Sequence, residues 1–79
     1  MSMENKIREI SNEHRTVEEV ISALDSNLEK IYFIDIQIDL NRTNQAIVSL
    51  LGNSKLAIGI QETIDLLIER KKEINAERA

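Results

Sequence analysis

Ile7 to Ile31 reads IREISNEHRTVEEVISALDSNLEKI, and how these twenty-five residues are parsed decides the fold. Ile7, Ile10, His14, Val17, Ile21, Leu24, Leu28 and Ile31 recur at spacings of three and four, a heptad seam with one polar intruder. Glu, Lys, Arg, Asn and Ser fill the intervening positions, as a solvated face requires. The spacing predicts a helix from about Met3, with Ser2 as its N-cap. Thr16-Val17-Glu18-Glu19 has the form of a capping box, and Asp25-Ser26-Asn27 could open a new helix. The seam crosses both without a change of phase, so the pattern favours one continuous helix.

Downstream, Ile34, Ile36, Ile38 and Leu40 alternate with Asp35, Gln37 and Asp39, which is also strand periodicity. As helix, Ile31, Ile34 and Ile38 share one face while Phe33, Ile36, Leu40 and Ile47 share a neighbouring one, giving a helix buried on two sides. Helix is the preferred reading. The alternative is an α+β fold with a short strand over residues 32–40. Leu50-Leu51-Gly52-Asn53-Ser54 is the clearest punctuation: Gly52 suits a left-handed position after a helix, and Asn53 or Ser54 can cap the next. Ala57, Ile60, Ile64, Leu67, Lys71, Ile74 and Arg78 then return to the three–four spacing, and Gly59 within that run could admit a neighbouring helix closely. The expectation is an all-α, single-domain chain: a helix over about 3–51, a turn at 52–54 and an antiparallel helix over about 55–77.

Such a first helix would span about 73 Å and the second about 35 Å. The short arm would leave the Ile7-to-Ile31 seam uncovered. Seven apolar side chains at about 1.5–3 kcal/mol each are too much to leave in water. A homo-oligomeric coiled-coil bundle is therefore expected, with Ile7, Ile10, His14, Val17, Ile21, Leu24, Leu28 and Ile31 as its interface. A break near Asp25 would instead allow three helices to close as a monomer.

Composition narrows the function. The chain has 79 residues, thirteen of them Ile, and a net charge of −4 at pH 7. One His and no Cys leave little for catalysis and no thiolate metal site, so neither an enzyme nor a cofactor is expected, and a reducing, cytoplasmic setting fits. The longest apolar run is four residues (Ile31 to Ile34), too short for a membrane span. Tyr32 and Phe33 are the only aromatic residues and lie in that run, so they read as core rather than as base-stacking platforms. The Arg70-Lys71-Lys72 cluster reads as a complement to a helix dipole. Nucleic acid is not an expected partner.

Three polar groupings remain. His14 on the seam reads as an interface residue setting register; as a metal ligand it would have only Glu18 beside it. Asp35 and Asp39 share a face with no nucleophile nearby, which favours a solvated pair. Asn41-Arg42-Thr43-Asn44-Gln45 interrupts an apolar stretch, either as a loop or solvated kink between helical segments or as a polar layer. In the second case Asn41, Arg42, Asn44, Gln45 and Lys55 from several chains could hold an anionic group or a nucleotide.

The segment Leu40-Asn41-Arg42-Thr43-Asn44, followed by Ala57-Ile58-Gly59-Ile60-Gln61-Glu62, resembles the septicolysin-like family of small helical proteins. The resemblance covers residues 34 to 74, implies an all-helical fold, and carries no activity with it. The leading functional expectation is a non-enzymatic, homo-oligomeric binding protein acting as an adaptor, inhibitor or assembly factor. The alternative is a small-ligand-binding oligomer, for instance a virus-encoded sponge for a nucleotide messenger.

Overall fold

The computed structural model describes residues 2–77, so Arg78 of the second repeat lies outside the described residues. Its elements are α1 (Met3–Glu13), α2 (Val17–Ala23), α3 (Asn27–Leu50) and α4 (Ser54–Glu77). The fold is all-α, and no strand occurs among the described residues. The strand alternative at 32–40 is thereby corrected: this stretch lies inside α3. Its period-two look arises because two helical faces are interleaved. Ile34 and Ile38 are buried on the inner face, while Ile36 and Leu40 belong to the outer one.

The continuous helix over 3–51 is also corrected, for the chain breaks twice. At the first break the Thr16 hydroxyl accepts the Glu19 N–H at 3.1 Å, and the Glu19 carboxylate accepts the Arg15 N–H at 3.1 Å. At the second, Ser26 and Glu29 form a full capping box, with the Ser26 and Glu29 amides each donating to the other side chain. Each cap satisfies N–H groups that a helix start would otherwise orphan, for about 1 kcal/mol. The larger gain is tertiary, because bending lets the seam lie back on α3 and α4. Spacings of three and four hold within each short helix whether or not the helices are joined, so an unbroken phase carries no information about the caps.

Ser2 caps α1, its hydroxyl accepting the Asn5 N–H at 3.2 Å. Between α3 and α4 the chain turns through Gly52 at φ +80°, a left-handed conformation that glycine adopts at no steric cost. The Asn53 N–H reaches Val48 O and the Gly52 N–H reaches Ser49 O, the double closure of a Schellman motif. Asn53 Oδ1 then accepts the Leu56 N–H at 3.1 Å and starts α4.

α3 and α4 are each about 36 Å long and pair as an antiparallel hairpin, which accounts for the 40 Å long axis of the molecule. α1 and α2 cover the end of the hairpin remote from its turn, hereafter the base. The core sits there: Ile7 from α1, Val20 and Ile21 from α2, then Leu24, with Phe33, Ile34 and Ile38 of α3 and Ile64, Leu67 and Ile74 of α4. The seam assigned to an oligomer interface is thus largely spent inside one chain. Ile7, Ile21 and Leu24 are buried, Ile10, Val17 and Ile31 pack against them, and only Leu28 stands mostly exposed. His14 leaves the seam altogether and lies in the loop between α1 and α2.

Ile21→Ala should therefore cost about 2–5 kcal/mol in urea unfolding, as a fully buried branched side chain does. Leu50→Ala, at the exposed end of the hairpin, should stay within about 0.5 kcal/mol of the parent.

Candidate functional site

Charged side chains at the base are committed to holding the helices together. Lys6 Nζ lies 2.8 Å from both Asp25 Oδ2 and Glu29 Oε2, clamping α1 to the start of α3. Tyr32 donates its hydroxyl to Glu4 at 3.0 Å across the same pair of helices. Arg70 Nε reaches Glu18 at 3.1 Å, and Lys71 Nζ reaches Asp35 at 2.7 Å, tying α4 to α2 and to α3. The pairs suggested by sequence are thereby separated. Asp35 is engaged by Lys71 whereas Asp39 has no ion-pair partner among the described residues. Glu18 belongs to Arg70, and the acid nearest His14 is Glu19, at 3.9 Å from Nδ1. No group of three His, Asp or Glu side chains among the described residues converges as a metal site would require.

The Asn41-to-Gln45 segment is neither a loop nor a kink but about one and a half regular turns of α3. Its members point in different directions. Asn41 faces α4 but spends its amide on the Gln37 carbonyl of its own helix, at 2.8 Å. Gln45 crosses to α4, donating to Ala57 O at 3.2 Å and to Gln61 Oε1 at 2.9 Å, and Gln61 in turn donates to Asp65 at 3.0 Å. Arg42 and Asn44, two residues apart, stand some 200° apart around the helix, as the ~100° advance per residue dictates, so one chain does not bring them to a common pocket. Both are exposed, as is Lys55. Three cavities open at the base, and residues 39–63 line none of these three.

What sequence reasoning missed lies beyond the base. No residue between Asp39 and Thr63 is buried, although this stretch carries Leu40, Ile47, Leu50, Leu51, Leu56 and Ile58, all more than half exposed. Val48, Ala57 and Ile60 are half-buried between the two helices, and a Cβ built on Gly59 would meet nothing within 4 Å. The turn-proximal half of the hairpin is therefore a two-helix arm with a thin seam and apolar flanks. The signal for it in the sequence is the second apolar face of α3, and which end of that face stays uncovered depends on where α1 and α2 pack. Among the described residues, no helix is long and apolar enough to cross a membrane.

Compared with protein-family models, with curated proteins and with solved structures, the chain matches none.

The Lys6 clamp makes the base sensitive to pH. The hydrogen bond from Lys6 holds the Glu29 carboxyl below its ordinary value, and the hydrogen bonds to Asp25 and then Glu29 raise Lys6. The Glu4 contact raises Tyr32. A lowered acid stabilises the fold above its unfolded pKa and loses that contribution as pH falls through the folded value. The raised Lys6 and Tyr32 contribute fully below their unfolded pKa values and lose it as pH rises through the folded ones. Thermal melts from pH 3 to 11 should show both declines, and Lys6→Met should flatten the acid one while leaving α-helical ellipticity at pH 7 unchanged.

Proposed function

We propose that this chain is a non-enzymatic helical binding protein that works by protein–protein contact through the turn-proximal half of its α3–α4 hairpin, as an adaptor, inhibitor or assembly factor. The observation that carries this reading is the contrast between the two halves of the hairpin. Among the described residues, the half outside 39–63 buries ten apolar residues and leaves only Leu28 and Leu66 as large exposed ones, whereas residues 39–63 bury none and expose six. A concentration of exposed apolar side chains of this kind marks interaction sites. Charge points the same way, since only Asp39, Arg42, Lys55 and Glu62 are charged in that stretch, and none of the four forms an ion pair among the described residues. Depletion of charge at the centre of a patch is the compositional mark of an interface.

A non-enzymatic role is supported by where the acids and bases are spent, for Glu18, Asp35, Lys6 and Glu29 act as staples between helices. A small anionic ligand has less support, because Arg42 and Asn44 project to different sides of α3. A cytoplasmic place of action belongs to the same reading.

The test compares immobilised wild-type protein with Leu50→Lys/Ile58→Lys in extract from cells that make it, with retained proteins identified by mass spectrometry. Both positions are exposed, so the variant should keep its helicity. Wild type should retain at least one protein, counting further copies of this chain, that the variant does not. Identical retained sets would overturn the proposal.

A further inference from the structure

The outer face of α3 has a pattern of its own. Phe33, Ile36, Leu40, Thr43, Ile47 and Leu50 follow spacings of 3, 4, 3, 4 and 3, a heptad seam in which Thr43 is the single polar member. It is distinct from the inner seam of Ile31, Ile34, Ile38, Asn41, Gln45 and Val48, which faces α4. The base buries the first outer residue, Phe33, and half-buries Ile36; Leu40 and Ile47 are then about half exposed, and Leu50 is 88% exposed. Where the covered part ends, a cavity of about 250 Å³ opens between α1 and α3, with Ile7, Phe33 and Ile36 as its apolar wall and Glu4, Arg8, Ser11, Asn12 and Gln37 around them. One face of one helix thus carries a hollow with an apolar wall at one end and, at the other, the most exposed large apolar side chain among the described residues. They are seventeen residues apart from Phe33 to Leu50, about 25 Å.

A knob and a hollow on the same face are matched by a twofold-related copy of that face. We infer that the outer seam of α3 is the contact for a second copy of this chain, the two α3 helices pairing antiparallel with each Leu50 seated in the other's α1–α3 hollow. This rests on the reading of the hairpin as a protein-binding surface and names its occupant. Antiparallel seams layer the first apolar position of one heptad on the fourth of its partner. Phe33 then faces the partner's Leu50, Ile36 the partner's Ile47, and Leu40 the partner's Thr43, with the twofold axis between residues 41 and 42. The flanking positions Gln37, Asn44 and Ala46 are uncharged, so only Asp39 contributes charge beside the seam. On its flank the same register sets the partner's Asp39 about 3 Å along the axis from Arg42, pairing two groups that have no ion-pair partner among the described residues. A seam of fewer than three heptads belongs with weak, reversible interfaces, and association in the micromolar range is expected.

Sedimentation equilibrium from about 5 to 500 µM tests it, with circular dichroism on every variant. Wild type should move from 9.1 kDa toward twice that mass as concentration rises. Leu50→Lys should weaken association more than about tenfold, since it removes the apolar side chain that packs on Ile7, Phe33 and Ile36 and sets a charge against them. Thr43→Leu should tighten it by about tenfold by completing the seam. Asp39→Arg and Arg42→Asp should each weaken it several-fold, and the double swap should recover the parent value. Wild type that stays at 9.1 kDa at 500 µM overturns the inference, as does a dimer indifferent to both Leu50→Lys and Thr43→Leu. If wild type is monomeric yet retains a different protein that Leu50→Lys/Ile58→Lys loses, the second copy is refuted as occupant while the binding function stands.

Discussion

The constraint on which the rest depends is one of coverage. Two paired helices of 24 residues present a side about 36 Å long, and among the described residues α1 and α2, of eleven and seven residues, are what lies against it. Those two short helices cover one half. Everything buried in the molecule follows from that choice, from Ile7 at one margin to Ile38 and Ile64 at the other. Everything exposed at the far end follows from it as well.

The uncovered half needs some means of staying paired without a core, and its polar residues supply one. Gln45 bridges to Ala57 and Gln61, while Val48 and Ile60 provide a narrow apolar contact between the helices. The Gly52 turn closes the two arms with backbone hydrogen bonds and the Asn53 cap. An amide donating to a backbone carbonyl and to a neighbouring amide fixes register in a way that leucine packing does not, because it is satisfied at only one offset. The arm can thus hold its shape while its apolar side chains remain available to a partner. At the base the division of labour is reversed: apolar side chains supply the burial, and the ion pairs of Lys6, Arg70 and Lys71 orient helices that are already packed.

The polar interruption at Asn41 to Gln45 shows how one pattern can serve two faces. Asn41 and Gln45 lie on the inner seam, and Thr43 on the outer one. Arg42 projects to the flank. Read linearly, these five residues look like a single polar layer. Wound at 3.6 residues per turn, they become a weak spot on each of two seams, which favours specificity of pairing over strength.

By itself the sequence favoured helix over strand at 32–40 and determined the Gly52-Asn53 turn, the two apolar faces of α3 and the absence of a membrane-spanning segment among the described residues. These are local properties, set by side-chain period and by the left-handed backbone at Gly52. It also contained the caps at Thr16 and Ser26, but not their use. A capping box can end a helix or sit within one, and the choice depends on whether the bent chain finds somewhere to bury Ile7, Ile21 and Leu24. Only the tertiary structure answered that, by supplying α3 and α4 as the surface. The same long-range contact decided which half of the molecule keeps its apolar residues in water, because burial is a property of what lies opposite a side chain, and no spacing along one chain records it.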